Sequence, residues 1–261
     1  MTNSPHSSAT DEPVTEIASR CDKHGPYTAR RYRPIPGMEP VTSTCPECMR
    51  ERREAQEAED RRRADLAKAE RIAATFRRAM IPKRFASHSL GSYRTDNAGQ
   101  ERALSVSQRF AERFEPGSGA SLIFAGKPGT GKTHLACGIA RAVIEKGHTS
   151  MFGTVLQLVR HVKSTYRHDS AQSETEALND LLEPDLLIID EVGAQIGSEH
   201  ELMILFEIIN QRYQECRSTI LISNLTRDEL SQFLGDRAID RFRECGAVIA
   251  FDWESHRGAA A

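Results

Sequence analysis

The chain has 261 residues, with 35 Lys and Arg against 37 Asp and Glu and a formal net charge of -2. That balance excludes a uniformly basic nucleic-acid coat, though not a local basic patch. The longest apolar runs, such as Leu202 to Phe206 and Ala247 to Phe251, fall far short of the about 20 residues a membrane-spanning helix needs.

In chain order, residues 1–20 are polar and read as a disordered tail without the apolar segment of a secretory signal, which points to a reducing cytoplasm. There the six cysteines argue for metal ligands or buried thiols before disulfides. Residues 21–49 have too few large apolar side chains to fold on a core. They carry Cys21-x2-His24 and, twenty residues on, Cys45-x2-Cys48. Two short-spaced pairs supply the four N/S ligands of a tetrahedral Zn²⁺ site, and metal binding would provide the folding energy this segment lacks. Cys137, Cys216 and Cys245 read as packing residues. Residues 50–80 are dominated by charge and read as a linker helix, with Glu57–Arg61 and Glu59–Arg63 at i,i+4 spacing. Leu66, Ala69, Ile72, Ala73, Phe76 and Met80 form an apolar stripe along its second half, and Pro82 ends it.

Residues 81–261 read as an α/β three-layer domain. Short apolar segments at Ser121–Ala125, Thr149–Gly153, Asp185–Ile189, Thr219–Ser223 and Ala247–Phe251 suit strands buried on both faces of a parallel sheet. Helices are expected over 132–146, 155–167, 174–183, 199–215, 227–234 and 235–243. Ser173 with Glu176, Ser198 with Glu201 and Thr226 with Glu229 form capping boxes.

Gly126-Lys127-Pro128-Gly129-Thr130-Gly131-Lys132-Thr133 follows a predicted strand and opens a predicted helix, the context of a phosphate-binding loop. Its glycines let consecutive N–H groups face phosphates, and the helix N-terminus presents its positive dipole end to the same anion. Lys132 would reach the β- and γ-phosphates of ATP, and the Thr133 hydroxyl would bind Mg²⁺. Leu186 to Ile189 lead into Asp190 and Glu191. Asp190 fits the Mg²⁺ shell, and Glu191 fits the position that activates water, which favours ATP hydrolysis over a nucleotide kinase. Asn224, at the end of the fourth strand, can hydrogen-bond the γ-phosphate or the attacking water, since Thr226 already serves as the next helix's N-cap. Arg237 and Arg241 share a helix face and Arg257 lies past the last strand. Composition alone leaves these three as surface arginines.

Residues 80–257 resemble the bacterial DnaC/DnaI-type replicative helicase loaders, a family of AAA+ ATPases. The matching segments are Ile81-Pro82-Lys83-Arg84-Phe85, Gly126 to Thr133, Leu187 to Gly193, Ser223-Asn224-Leu225, Gly235 to Arg241 and Trp253 to Arg257. The resemblance implies a five-stranded parallel sheet in the order 5-1-4-3-2 without a C-terminal helical lid. It implies Asn224 as sensor 1, Arg241 as an arginine finger acting on a neighbouring subunit and Arg257 as sensor 2. It further implies that the N-terminal region docks on a hexameric replicative helicase, that copies assemble as a spiral on that helicase, and that the spiral grips single-stranded DNA. Lys163, Tyr166, Arg167 and the loop at Ser198 match the DNA-facing segments, Tyr166 by stacking and the cations by meeting phosphates. Equally, Tyr166 fits a plain amphipathic helix. Similar core motifs are expected in an IstB-like ATPase that assists DNA transposition, the alternative reading.

Overall fold

A computed structural model describes residues 14–35, 38–167, 169–194 and 198–255. The chain divides into two compact units, one up to Ala69 and one from Glu70 onward.

The first unit opens with strand β1 (Thr15–Cys21), which pairs antiparallel with β2 (Gly25–Tyr32), and β2 with the short β3 (Val41–Thr42). Gly25, at φ 82°, closes the tight turn that sets Cys21 opposite it. The disordered tail expected to residue 20 is therefore corrected from Thr15 onward; residues 1–13 lie outside the described residues. Here the antiparallel pairing with β2 satisfies the backbone of a strand that has no apolar face. Ile17, Ser19 and Cys21 alternate half-buried with exposed neighbours, and the Cys/His cluster closes the ribbon's end. Helix α1 runs Pro46–Arg78, starting before the expected residue 50 because Pro46 suits a first helical turn. Arg61 lies 3.7 Å from Glu57, as the spacing predicted, and Arg53 lies 2.9 Å from the same carboxylate.

The second unit begins with two 3-10 turns, at Lys83–Phe85 and Leu90–Ser92, and α2 (Ala98–Glu112). Strands β4 (Ser121–Gly126), β5 (Ser150–Thr154), β6 (Leu186–Val192), β7 (Ser218–Ser223) and β8 (Gly246–Phe251) then alternate with helices. The helices are α3 (Lys132–Glu145), α4 (Val155–Lys163), α5 (Glu174–Leu182), α6 (Glu199–Gln214), α7 (Arg227–Leu234) and α8 (Asp236–Cys245). The five strands form one parallel sheet in the order β5-β6-β7-β4-β8. Counted within the sheet this is the expected order 5-1-4-3-2.

Side-chain alternation along the strands feeds two cores. Leu122, Phe124, Leu186, Ile188, Ile220 and Ile222 meet α2 and α3 on one face. Ile123, Ala125, Leu187, Ile189 and Leu221 meet α4 to α8 on the other. Strands buried on both faces show no polar alternation, which is why they read as continuous apolar runs. Between the layers, Arg212 of α6 is fully buried. Its guanidinium donates to the carbonyls of Leu181, Leu182, Pro184 and Ser218 and to the Thr219 hydroxyl, fastening the end of α5 to the start of β7. Burial pulls it down to about 9, still charged at neutral pH. Of the cysteines expected to pack, Cys137 is buried, whereas Cys216 is exposed at the turn after α6.

Candidate functional site

The parallel sheet carries its strand ends to one edge, and the segments after β4, β6 and β7 meet there. The loop between β4 and α3 needs glycine at its ends. Gly126 sits at φ 130°, and a Cβ on it would lie 2.3 Å from the Phe251 carbonyl oxygen; at Gly131, φ 94°, a Cβ would lie 2.6 Å from the Tyr93 ring. Lys132 is buried and donates through Nζ to the carbonyls of Gly126 and Lys127 at 2.7 and 2.6 Å. One residue on, the Thr133 hydroxyl donates to Asp190 Oδ2 at 3.0 Å.

Asp190 and Glu191 both sit in β6, Glu191 in the left-handed region at φ 62°, where the β6–β7 register slips. That strained backbone turns Glu191 out into solvent while Asp190 stays part-buried. Burial holds the Asp190 carboxyl above its ordinary range, against the opposing pull of the Glu191 amide and the Thr133 hydroxyl. A part-buried carboxylate beside a hydroxyl is a hard-oxygen pair of the kind Mg²⁺ takes. Asn224 follows β7, and a cavity of ≈ 850 Å³ is lined by Gly129, Lys132, Thr133, Asp190, Glu191 and Asn224. Pro82, Arg84, Phe85 and His88 line its other side.

Arg241 is not in that cavity. It lies on α8, its guanidinium 4.9 Å from the Tyr213 ring and donating to Asn210. Arg257 lies outside the described residues. Lys163, Tyr166 and Ser198 are brought side by side at the ends of α4 and the start of α6, but each has partners. Lys163 donates to Glu201 at 3.0 Å, and the Tyr166 hydroxyl donates to Glu174 at 2.8 Å and lies 3.2 Å from His200 Nε2. Arg167 is 3.6 Å from Asp169, and Ser198 caps α6 by accepting the Glu201 N–H.

Two residues at the phosphate-binding loop went unassigned by sequence reasoning. The Tyr93 hydroxyl and the Trp253 indole N–H both donate to the Thr130 carbonyl, at 3.2 and 3.0 Å. Trp253 is the chain's single tryptophan and opens the Trp253 to Arg257 segment of the resemblance, but neither signal gives it a role.

In the first unit, the ligand atoms of Cys21, His24, Cys45 and Cys48 all lie within 4.8 Å of one another. Cys21 Sγ is 3.5 Å from Cys48 Sγ, and His24 Nδ1 is 3.7, 3.7 and 3.3 Å from the sulfurs of Cys21, Cys45 and Cys48. The edges of a tetrahedral zinc site with such ligands measure about 3.6 to 3.8 Å, so the donor set fits the metal. The His24 and Lys23 amides at the turn hold the Cys21 thiol down to about 6. The first turns of α1 put Cys48 and Glu51 on one side. Glu51 lies 3.2 Å from His24 Nε2 and 2.5 Å from Lys23 Nζ, which orients the ring with Nδ1 inward.

The model of the family described as IstB-like ATP binding protein matches residues 66–257, so the Cys/His cluster precedes the matched residues. The replicative helicase loader DnaC of Escherichia coli strain K12 is 38% identical over 184 residues, 70% of this chain and 74% of that protein. DnaC of Buchnera aphidicola subsp. Acyrthosiphon pisum is 37% identical over 191 residues, 73% of this chain and 77% of that protein. A crystal structure of the DnaC helicase loader superposes with a TM-score of 0.59 at 29% identity, covering 65% of this chain and 99% of that one.

Proposed function

The chain belongs to the family of IstB-like ATP-binding proteins and DnaC helicase loaders, and from that premise we propose that it loads a hexameric replicative DNA helicase onto single-stranded DNA, with ATP hydrolysis driving its release. The observation that carries the ATPase half is the meeting of Lys132, Thr133, Asp190, Glu191 and Asn224 around one cavity. In this reading Gly126 to Gly131 cradle the phosphates with backbone N–H groups. Lys132 exchanges its two loop carbonyls for phosphate oxygens, and Thr133 and Asp190 hold Mg²⁺, which when bound neutralises phosphate charge. Glu191 takes the proton of the attacking water, and Asn224 orients that water or the γ-phosphate.

Arg241, outside its own chain's cavity, serves the site of a neighbour in a spiral of copies on the helicase, where an arginine finger accelerates hydrolysis by about 10³-fold or more. Arg257 completes the site as sensor 2. Lys163, Tyr166, Arg167 and the loop at Ser198 form the DNA-facing patch. Because Lys163 and Arg167 are paired with carboxylates, phosphates must displace Glu201 and Asp169, which makes the grip weak and strongly salt-dependent.

Residues 21–49, with Zn²⁺ held by Cys21, His24, Cys45 and Cys48, form the module that contacts the helicase. The charged helix links it to the ATPase domain over 81–261. The IstB-like alternative, assistance to transposition, shares the nucleotide cavity. Relatives 37–38% identical that are named helicase loaders support the first reading over it.

ATP turnover with and without single-stranded DNA tests the enzymatic half. The wild-type chain hydrolyses ATP and DNA stimulates it, whereas Glu191→Gln binds ATP with turnover reduced at least about 100-fold. Unchanged turnover by that variant would remove Glu191 from the mechanism.

A further inference from the structure

The Thr130 carbonyl lies between two donors that the nucleotide reading does not use. Trp253 Nε1–H reaches it from beyond β8 at 3.0 Å and the Tyr93 hydroxyl from the turn before α2 at 3.2 Å. All three residues are buried. A carbonyl oxygen has two lone pairs, so the two donors can satisfy it together. Across a trans peptide the carbonyl and the following N–H point in opposite directions. Fixing the Thr130 oxygen against Trp253 and Tyr93 therefore sets the direction of the Gly131 N–H, away from that oxygen, at a residue that lines the cavity.

We propose that Trp253 and Tyr93 are positioning residues of the nucleotide site, which set the Thr130–Gly131 peptide so that the loop's N–H groups are directed at phosphate before nucleotide arrives. The inference rests on the ATP-site reading above. It is independent of the P-loop motif itself, which includes neither residue.

Four further contacts hold the donors against the loop. The Lys127 N–H donates to the Phe251 carbonyl at 3.0 Å, extending the β4–β8 pairing into the first residue past β4. The Phe251 and Trp253 rings pack with centroids 4.7 Å apart, so the indole's place follows from the strand's. Gly99 lets the indole lie against α2, since a Cβ there would come within 3.0 Å of the ring. Tyr93 is fixed from the other side, its ring 5.2 Å from that of His134 in α3 and filling the space that a side chain at position 131 would take. The loop's geometry is thus imposed by residues 37 and 123 positions away in sequence. Any displacement of the segment after β8 would be transmitted to the phosphate cradle.

The test is the affinity for Mg-ATP and the steady-state kinetics of Tyr93→Phe, Trp253→Phe and the double variant, each checked by thermal unfolding. Phe keeps an aromatic ring in the core and removes the donor, and Tyr93→Phe removes a single oxygen, so that chain folds. Each single variant weakens Mg-ATP binding about fivefold, the worth of one neutral hydrogen bond. The remaining donor still points the carbonyl inward, so the double variant loses more than the product of the two, beyond about 25-fold. The loss falls on KM, with kcat at saturating ATP within about twofold. A double variant that unfolds at lower temperature yet binds Mg-ATP as the wild type does would reduce the two residues to packing and overturn the inference. Wild-type chain that fails to bind Mg-ATP would overturn the ATP-site reading itself.

Discussion

The Thr133 hydroxyl lies 3.0 Å from Asp190 Oδ2, joining the start of α3 to the end of β6 across 57 residues. Burial raises the Asp190 carboxyl above its ordinary range. A carboxyl whose native pKa exceeds its unfolded one gives stability that is intact below the unfolded value and lost as pH rises through the native value. At pH 7 the ligand-free chain therefore holds this carboxylate at a cost to stability. Asp190→Asn is expected to raise the unfolding temperature without nucleotide and to cut ATP turnover at least about 100-fold, with the stabilisation by Mg-ATP lost. Thermal scans at pH 7, with and without Mg-ATP, read both effects. A less stable variant with normal turnover would contradict this account of the pair.

In the first unit, Glu51 holds the far nitrogen of the His24 ring, and such carboxylate partners are worth about 10- to 100-fold in metal affinity. Glu51→Ala is expected to keep one zinc per chain but to release it to a weaker chelator, while Cys48→Ser loses zinc outright. Chelation of the wild type should unfold the first unit and leave the melting transition of the ATPase unit in place. Elemental analysis and competition with a chromogenic chelator check these outcomes. Full zinc retention by Cys48→Ser would show that the four-ligand set is wrong.

Arg241 sits against Tyr213 and Asn210 rather than at its own chain's Lys132. Arg241→Ala should bind ATP normally and lose DNA-stimulated hydrolysis by about 10³-fold. Mixing it with Lys132→Ala should restore part of the activity, because each chain then supplies what the other lacks. Two inactive variants that stay inactive together would argue against action on a neighbour.

Arg212→Met would leave four backbone carbonyls without their buried donor and should cost at least about 3 kcal/mol in urea unfolding. Arg212→Lys should recover little, since a point charge cannot reproduce the fork of donors. A loss under about 1 kcal/mol for Met would mean that water replaces the guanidinium.

What could be read from the sequence was what short-range chemistry encodes. Gly126 to Thr133 carry their function in eight consecutive residues, and the doubly buried strands announced the sheet by continuous apolar runs. Four knuckle residues with nothing else to fold on pointed to a common site, and the structure brings Cys21, His24, Cys45 and Cys48 within contact. Strand β1 escaped notice because its stability comes from pairing with β2 rather than from an apolar pattern. Helix α2 was not singled out, although Asn97 caps it by accepting the Gln100 N–H. Tyr93 and Trp253 could not be assigned, since their common partner, Thr130, is brought to them only by the folded sheet. Arg212 gave no sign, because a lone arginine in an amphipathic helix reads as exposed.

Engagement of a ring helicase under the control of the chain's own nucleotide site is read from the native mass of the zinc-loaded chain mixed with the replicative helicase of the same organism, with ATP, with ADP and with no nucleotide. A complex of several copies with the helicase ring is expected in ATP, lost on hydrolysis to ADP and not formed by Lys132→Ala. No complex in ATP, or one that forms equally with every nucleotide state and with Lys132→Ala, would contradict it.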